Sequence, residues 1–302
     1  MVPEYPGLRP LVPEDYPWVA GRLAQGASPI CDLTPANLFI WRDCERPSVT
    51  LVGDSLCIQV EPHSEPAYFL EPVGGSGWLE AVRVCLSHAG RISRAGTALA
   101  SRLAGQDFRI APLRDHFDYV YGTEVLATLK GKRFDGKRNQ IRRFAASCPD
   151  FEFHPLEPEH LAAAAGLFEK WTRMREDGGG EARAASFSHE CQRRALDKAF
   201  SDFGRLGLSG GALMVRGEMQ GFVVATAGYG ETAVVHFQYA NTEFPGIYQT
   251  LLHEACVRLF PHCPLVNLEE DLGVPGLRKT KLSYQPLRLE EKFEILPARD
   301  RA

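Results

Sequence analysis

The sequence predicts an α+β protein made of two tandem domains of the same kind, each a mixed, mostly antiparallel sheet flanked by helices. Two observations predict the duplication. The pentapeptide PLVPE at residues 10–14 returns as PLEPE at residues 155–159, about half the chain later, and the same order of strand and helix signals follows each copy. A third observation, a short basic segment at residues 130–144, marks the junction between the copies.

The elements of the first copy are predicted from hydrophobic periods, which are 3.6 residues in a helix and two in a strand. At residues 77–89, for example, Leu79, Val82, Leu86 and Ala89 share one helical face. The patterns predict helices over 16–25, 77–89 and 97–103, a short helix or strand entry over 34–41, and strands over 49–53, 56–60, 67–73, 91–94, 108–113 and 118–125.

The second copy shows the same succession of signals, with a glycine-rich stretch at residues 177–180 that predicts a flexible loop or a lid. Helices are predicted over 161–173, 189–200, 248–260 and 277–284, and strands over 211–216, 219–227, 233–240, 265–268 and 287–296. This order resembles that of the GNAT acyltransferase fold, present twice. The predicted boundaries are 1–129 for a catalytically silent first domain, 130–148 for a basic junction helix and 149–302 for the second domain.

The basic segment 130–144 has a charge opposite to that of the chain as a whole, which is formally −4. It contains one acid, Asp135, and seven cations: Lys130, Lys132, Arg133, Lys137, Arg138, Arg142 and Arg143. Phe134, Ile141 and Ala145 fall at helical spacing with Arg138 on the same stripe. Arg138 is therefore predicted to point inward and to need an acid, a carbonyl or a phosphate as its partner.

Composition and cysteine usage limit the class of protein. Apolar residues make up 44% and charged residues 24% of the chain, as in globular proteins. No apolar run approaches the ~20 residues of a membrane helix, and the N-terminus has no signal-peptide pattern. Eight cysteines without CxxC pairs predict reduced, mostly buried thiols and no metal site. We therefore expect a cytoplasmic protein without stable membrane insertion.

The densest group of candidate site residues lies at 267–284. The carboxylates Glu269 and Asp271 close a predicted strand, and the cations Arg278, Lys279 and Lys281 follow on a helix that ends at Tyr284. Crowded carboxylates can deprotonate an attacking amine or hydroxyl. The other interpretation is purely structural, with these charges pairing with the basic helix. The sequence leaves both open.

Polar residues around a second predicted strand form another candidate group. His236 and Gln238 share one face of strand 233–240, where they could line a cleft or form a satisfied polar pair. The following turn, residues 241–249, leads into a helix and contains Asn241, Gly246, Tyr248 and Gln249. In GNAT enzymes this turn presents backbone N–H groups to the pyrophosphate of coenzyme A. Those enzymes carry more than the one glycine found in this turn.

Three separated motifs resemble one known family. They are LTPANLFIW at 33–41, KGKRFDGKRNQIRRF at 130–144 and NLEEDLGVPGLRKTKLSY at 267–284. Together they are similar to the phosphatidylglycerol lysyltransferase C-terminal-like domain family, whose stand-alone form was long catalogued as a domain of unknown function. KRNQIR at 137–142 also resembles a stretch of the Fem peptidyltransferases, which take their acyl group from aminoacyl-tRNA.

The resemblance implies an acyl- or aminoacyltransferase with a coenzyme A thioester or an aminoacyl-tRNA as donor. The acceptor would be an amine or hydroxyl on a small molecule, a peptide or a lipid headgroup, and tRNA would be a partner. Glu269 or Asp271 would activate the nucleophile and Tyr284 would protonate the leaving group. Donor binding would fall to His236, Gln238, the turn 241–249 and the residues Lys137, Arg138, Asn139, Arg142, Arg278, Lys279 and Lys281. The alternative is a non-catalytic binding module that keeps the tandem fold.

Overall fold

The computed structural model of the chain describes residues 1–26, 28–177 and 182–298. These form two compact units. The first comprises Met1–Tyr119, Glu269–Lys279 and the chain from Leu289 onward, and the second comprises Val120–Leu268 and Thr280–Arg288. The division differs from the predicted boundaries, because the segment with the candidate carboxylates and the last strand belong to the first unit.

Short 3₁₀ turns lie between several helices of the described residues. The helices are α1 Tyr16–Gly26, α2 Pro35–Ile40, α3 Arg42–Glu45, α4 Trp78–Ala89, α5 Thr97–Leu103, α6 Thr123–Thr128, α7 Asp135–Ser147, α8 Leu161–Asp177, α9 Ala182–Ser201, α10 Ile247–Arg258 and α11 Pro275–Leu282. The predicted helices are present in the predicted order, whereas α3 and α6 were not predicted. None of these helices is both long enough and apolar enough to cross a bilayer.

The strands form two sheets of seven over the described residues. They are β1 Arg9–Pro10, β2 Ser48–Val52, β3 Ser55–Val60, β4 Tyr68–Phe69, β5 Ile92–Gly96, β6 Phe108–Pro112, β7 Asp118–Gly122, β8 Glu152–Pro155, β9 Leu208–Val215, β10 Glu218–Tyr229, β11 Thr232–Ala240, β12 Leu265–Asn267, β13 Arg288–Glu290 and β14 Lys292–Pro297. The first sheet has the order β1-β2-β3-β4-β5-β14-β6, and the second has the order β13-β7-β12-β11-β10-β9-β8.

The core of the first unit lies where α4 packs on the first sheet. Ala81, Val82, Cys85 and Leu86 are buried on one face of this helix, at the spacing that aligns side chains on adjacent turns. They pack with Phe69, Ile92, Ala95 and Ile295 of the strands, together with residues of α5. β4 pairs in parallel with β5 only at Phe69 and Ile92, so the two strands meet at one end and β5 continues to Gly96.

The second unit has an aromatic core between α8 and the long strands. The ring of Tyr239 on β11 lies 4.9 Å from the rings of both Phe168 and Trp171 of α8. β11 pairs in parallel with β12 at Thr232–Leu265, Ala233–Val266 and Val234–Asn267. β12 ends at Asn267 while β11 runs on to Ala240, so the pairing between these strands stops before the second half of β11.

Each half of the chain contributes a strand to the sheet of the other half. β14, at the end of the second half, is hydrogen-bonded between β5 and β6 of the first sheet. β7, at the end of the first half, pairs antiparallel with β12 in the second sheet through Val120, Tyr121 and Gly122. β6 and β13 stay at the edges of their own sheets. The duplication is therefore closed by a reciprocal exchange of strands.

The structure corrects three predicted elements. The strand expected over 118–125 ends at Gly122, and its last residues form α6. The strand expected over 67–73 is reduced to β4, and the single strand expected over 287–296 is divided into β13 and β14. The loop predicted at 177–180 lies outside the described residues except for Asp177, the last residue of α8. All eight cysteines are free and seven are buried, as predicted.

Candidate functional site

A fully buried lysine lies at the centre of an ionic cluster in the first unit. The Lys292 side chain is 0% exposed, and its ammonium lies 2.5 Å from Asp32, 2.7 Å from Asp118 and 3.4 Å from Glu270. It also donates to the Cys31 thiol sulfur at 3.3 Å. We call these five residues the Lys292 cluster. A buried ammonium is tolerated only with such partners, because removing it from water costs several kcal/mol.

Residues far apart in the sequence meet in this cluster. Lys292 is the first residue of β14 and Asp118 is the first residue of β7, whereas Cys31 and Asp32 form the turn before α2. The backbone N–H of Cys31 donates to Asp118 at 2.7 Å, and Thr34 Oγ1 donates to the Cys31 carbonyl at 2.8 Å. Side chains therefore bind both backbone groups of Cys31, and these two hydrogen bonds hold the turn that carries Cys31 and Asp32.

Arg94 extends the cluster toward the surface of the first unit. Its guanidinium lies 3.3 Å from Asp32, 3.4 Å from Glu65 and 3.9 Å from Glu45. It also lies over the Tyr68 ring, 5.3 Å from the centroid, in a cation–π contact. Arg94 adopts a left-handed backbone conformation, with φ at 57°, a strained geometry for a residue other than glycine.

The carboxylates of the Lys292 cluster have divergent pKa values. Burial by itself would raise the pKa of Glu270, but Lys292 and Arg94 outweigh it and lower that pKa to about 2. For Asp118 burial dominates, and its pKa is raised despite the ammonium beside it. Burial, reinforced by Asp118, raises the pKa of the Cys31 thiol well above its ordinary value. Cys31 therefore stays a neutral thiol and not a nucleophilic thiolate.

Three members of the cluster have the donor atoms of a metal site. Cys31, Asp118 and Glu270 place one ligand atom each within 4.8 Å of one another. The Lys292 ammonium, however, lies within 3.4 Å of all three and already supplies the positive charge that these groups share. The donor set therefore does not fit a metal ion while Lys292 stays in place.

Asp271, predicted as a catalytic carboxylate, lies in a second ion pair of the first unit. Its side chain is 0% exposed and accepts hydrogen bonds from Arg278 at 2.9 and 2.7 Å, from the Tyr119 hydroxyl at 2.5 Å and from the Gly273 N–H at 2.9 Å. Arg114 adds a contact at 3.2 Å. Burial would raise the pKa of Asp271, but these hydrogen bonds hold it well below its usual range. Such a carboxylate is a poor base, so Asp271 has a structural role, but its partners are Arg278 and Arg114 and not the basic helix that the sequence interpretation named.

Glu269 and Lys279, also in the first unit, lie outside this ion pair. Glu269 is half-buried with φ at 55°, and its carbonyl accepts the Tyr119 N–H at 3.2 Å. Lys279 is exposed on α11, whereas Arg278, one residue earlier, bridges Asp271 and Asp115. Strained backbone at Glu269 and Leu272 brackets the segment that carries the predicted carboxylates.

Tyr284, the predicted acid, is buried in the second unit near two other predicted residues. The Lys137 ammonium lies 4.0 Å from the centroid of its ring, and the Tyr121 ring meets it edge to face at 6.5 Å. The Tyr121 hydroxyl donates to the carbonyl of Lys281 at 2.8 Å, and Lys281 Nζ donates to the Leu268 carbonyl at 2.6 Å. Burial, with a smaller effect of Cys256, raises the pKa of Tyr284, and burial lowers the pKa of Lys137. The Lys281 side chain is buried and its ammonium is bound to the Leu268 carbonyl, so it is not positioned to bind a phosphate.

Several N–H groups of the turn at 241–249 are hydrogen-bonded within the turn itself. The Asn241 carbonyl accepts the Phe244 N–H at 3.2 Å, and Asn241 Oδ1 accepts the Glu243 N–H at 3.1 Å. Gly246 has φ at 92°, and a Cβ there would overlap the carbonyl oxygen of Gln140 on α7. The single glycine of this turn is therefore explained by close packing on the basic helix. Gln249 is half-buried on the first turn of α10.

The remaining predicted residues of the second unit have local partners. His236 Nε2 lies 2.8 Å from Thr226 Oγ1, and Gln238 Nε2 donates to the Tyr248 carbonyl at 3.0 Å. These contacts agree with a satisfied polar pair. Arg138 is part-buried, and its partners are the carbonyls of Leu129 and Gly131 together with Asp135. Asn139 Oδ1 accepts from Arg142 at 3.1 Å on the outer face of α7.

The outer face of α7 and the turn before it carry an excess of positive charge, which we call the basic face. Within the residues that the structure describes, no ion-pair partner is present for Lys132, Arg133, Arg142 or Arg143, all of which are exposed. On the opposite side, Phe144 is fully buried, and its Cβ would be in tight contact with a side chain at Gly246. α7 thus packs through an apolar side and exposes a row of cations.

The sequence interpretation missed most of the Lys292 cluster. Lys292, Asp118, Asp32 and Cys31 stand in unremarkable local contexts, and charged residues are rarely buried. One signal was available, since Glu270 lies between the two predicted carboxylates. Nothing local shows which cation an isolated carboxylate will meet across the fold.

Comparisons with known proteins identify the family. A family model described as the C-terminal part of phosphatidylglycerol lysyltransferase matches residues 25–295. A conserved protein of unknown function from Bacteroides thetaiotaomicron superimposes with a TM-score of 0.86 at 29% identity, over 98% of this chain and 100% of that one. The comparison with curated proteins gives no match.

Two further structures establish the fold. L-PGS from Bacillus licheniformis superimposes with a TM-score of 0.66 at 15% identity, over 99% of this chain and 94% of that one. A tandem GNAT protein from the clavulanic acid biosynthesis pathway gives a TM-score of 0.50 at 12% identity, over 97% and 98%. The fold is thus two tandem GNAT-like domains, and with a family match over most of its length, the chain belongs to the phosphatidylglycerol lysyltransferase C-terminal family.

Proposed function

We propose that this protein is a cytoplasmic aminoacyltransferase that moves an aminoacyl group from aminoacyl-tRNA to an amine or hydroxyl acceptor. The observation that carries the proposal is the basic face of α7, where Lys132, Arg133, Arg142 and Arg143 lack ion-pair partners among the described residues. In a chain with a formal charge of −4, such a concentration of unpaired cations suits a phosphate backbone.

The turn at the start of α10 supports tRNA over coenzyme A as the donor. A pyrophosphate needs backbone N–H groups that are free to point at it. Here the Glu243 and Phe244 N–H groups are bonded within the turn, and the Glu243 carboxylate adds negative charge beside them. Gly246 is required by the contact with Gln140 and not by the approach of a ligand.

The second unit offers a place and an acid for the chemistry. The part of β11 beyond its three pairs with β12 would receive the acyl carbonyl along an extended strand. Tyr284, whose hydroxyl is protonated at neutral pH as in any ordinary tyrosine, would donate the proton to the leaving oxygen. The Lys137 ammonium over its ring would stabilise negative charge that develops there. Activation of the acceptor by Glu269 stays a prediction.

Binding is tested by measuring the affinity for tRNA across a range of salt concentrations. Removal of one phosphate-binding cation should make the slope of log K against log salt shallower by about 0.9 at duplex-like sites. We expect the double variant Lys132→Glu/Arg143→Glu to bind at least tenfold more weakly with a shallower slope. Arg83→Glu/Arg109→Glu makes the same change of charge at exposed sites of the first unit and should bind normally. Equal weakening in both variants would show that only net charge matters.

Catalysis is tested by following a labelled amino acid from charged tRNA to a set of amine and hydroxyl acceptors. We expect Tyr284→Phe to slow transfer by about 10²–10⁴ without weakening tRNA binding, the usual effect of losing a general acid. Glu269→Gln in the same assay tests the predicted base. Transfer of an acetyl group from acetyl-coenzyme A, with no transfer from charged tRNA, would contradict the proposal that aminoacyl-tRNA is the donor. Binding of tRNA without any transfer would favour the non-catalytic module.

A further inference from the structure

The first unit contains a cavity of about 250 Å³ lined in part by the residues that follow β4 and β5. It is bounded by α1, the turn before α2, the glycine-rich turn that precedes α4, and α5. Its volume is that of about eight liquid water molecules and lies just below the range of sites for drug-sized ligands. The cavity therefore suits a small molecule.

One carboxylate, Glu71, faces this space. It follows β4 and accepts a hydrogen bond from Ser28 Oγ at 3.0 Å and from the Gly96 N–H, at the end of β5, at 2.9 Å. Both donors are neutral. Within the described residues Glu71 has no ion-pair partner, unlike the other part-buried carboxylates of this unit such as Asp32, Glu65 and Glu294. A carboxylate so placed would gain most from a cationic partner.

The rest of the cavity wall is mainly apolar. Leu23, Leu33, Val82 and Leu99 contribute aliphatic surface, and the Trp78 ring contributes an aromatic one. Arg102, a cation among the lining residues, has its guanidinium over the Trp78 ring, 3.6 Å from the ring centroid. A ligand that complements these walls has a short apolar body with one charged end.

We propose that this cavity binds a small primary amine, with its ammonium on Glu71 and its alkyl chain along the aliphatic walls. Each remaining lone pair of the carboxylate can accept one N–H, and the ammonium has three to give. An anion is the opposing candidate, because α4 begins at the glycine-rich turn beside the cavity. The uncompensated negative charge of Glu71 excludes it from the same space. The inference stands whether or not the chain transfers an aminoacyl group.

The test compares three ligands of one size and different charge, namely n-butylamine, n-butanol and butyrate, on the full chain. Binding is measured by chemical-shift titration and by thermal shift, which reports affinity through mass action. We expect the amine to bind at least tenfold more tightly than the alcohol, and butyrate to bind least. Equal affinity for amine and alcohol, a preference for butyrate, or no binding of any of the three would overturn the proposal.

Two variants locate the site. Glu71→Gln keeps the shape and hydrogen-bond acceptor of the side chain, and should remove the advantage of the amine over the alcohol. Its control is Glu80→Gln, an exposed position on α4 that should change nothing. Should Glu71→Gln fail to fold, Ala98→Phe, which fills the mouth of the cavity, should abolish binding of amine and alcohol alike. Amine binding that survives in a folded Glu71→Gln or in Ala98→Phe would show that the amine binds elsewhere.

The pH dependence of binding gives a third readout. The amine should bind only while Glu71 is ionised, and burial raises the pKa of that carboxyl. Affinity therefore falls on acidification, beginning at a higher pH than an ordinary glutamate would give. The alcohol should show no such fall, and parallel curves for both ligands would contradict the role of Glu71.

Discussion

Lys292 is the residue whose replacement should harm the first unit most. Its ammonium compensates Asp32, Asp118 and Glu270 at once, so Lys292→Met leaves three acids without their central cation. Removing one partner from a buried ion pair costs about 3–5 kcal/mol. We expect a loss of that size in the free energy of unfolding, measured by urea titration. Lys279→Met, at an exposed position on α11, should change it by no more than about 0.5 kcal/mol. Matching urea midpoints for the two variants would refute the role of Lys292.

Asp271 should contribute stability only above acidic pH. Its pKa is held well below the value near 4 of an unfolded aspartate, so the folded state favours the ionised form. The contribution is complete above pH of about 5 and is lost as the pH falls toward the folded pKa. We expect Asp271→Asn to cost about 1–3 kcal/mol at pH 7, and less at each step of acidification.

The measurement is the free energy of unfolding from pH 7 down to the acid transition. Asp107→Asn, an exposed acid of the same unit, is the matched control and should run parallel to the wild type. A constant gap between wild type and Asp271→Asn across this range would mean that the side chain matters through its shape and not through its charge.

At the residue scale the sequence predicted types of chemistry better than partners. Arg138 was expected to need an acid, carbonyl or phosphate, and it has two carbonyls and Asp135. Lys281 was assigned to a phosphate, yet its stem is buried and its ammonium meets the Leu268 carbonyl. The periodicity of a helix shows that a side chain points inward, but which group it meets depends on how distant segments fold together.

At the element scale, the start of α10 depends on one glycine for two reasons. Gly246 has a left-handed backbone, and the carbonyl of Gln140 occupies the place of a Cβ. Gly246→Ala should therefore destabilise the second unit by about 2–4 kcal/mol, of which the backbone conformation accounts for about 1–2 kcal/mol. The measurement is thermal or urea unfolding of Gly246→Ala and of a control variant at a second glycine with positive φ.

The control for this prediction is Gly217→Ala in the β9–β10 turn. Gly217 also has a positive φ, 77°, but a Cβ there would meet open space. It should lose only the backbone part, about 1–2 kcal/mol. A loss at Gly246 no larger than that at Gly217 would mean that α10 does not press on α7 as described.

Local patterns predicted the elements well where one face of an element is buried. α4 and α10 begin within one residue of the predicted starts, because a hydrophobic face and a preceding glycine mark them. α6 was missed although Gly122 precedes it, because the apolar pattern of β7 continues through residues 123–125 in the sequence. Short helices of this kind are determined by tertiary packing more than by their own periodicity.

For the whole molecule, the reciprocal strands predict that neither half folds alone. A chain of residues 1–129 lacks β14, and would present β5 and β6 without the strand between them. We expect each half, 1–129 and 149–302, to be aggregated or unfolded when expressed separately, as judged by circular dichroism and gel filtration. The full chain, and a circular permutant that retains all fourteen strands, should be folded and monodisperse. A stable, folded 1–129 fragment would contradict this prediction.

The duplication was predictable because it repeats a local signal, whereas the exchange of strands was not. β7 and β14 have the alternation that any strand has, and this pattern does not specify a neighbour. The predicted boundary at residue 129 followed the sequence repeat, while the contacts follow hydrogen bonding, which assigns the candidate carboxylates to the first unit. The Lys292 cluster was invisible for the same reason, since Lys292 and Asp118 open the two exchanged strands.

β14 also sets an order of events during synthesis. The N-terminal half leaves the ribosome long before residue 292 is synthesised. During that time β5 and β6 each have an edge without the hydrogen bonds that β14 later makes. Open strand edges invite pairing with other nascent chains. The first sheet can close only when the last strand has emerged, and slow elongation late in the message should therefore lower the yield of native protein.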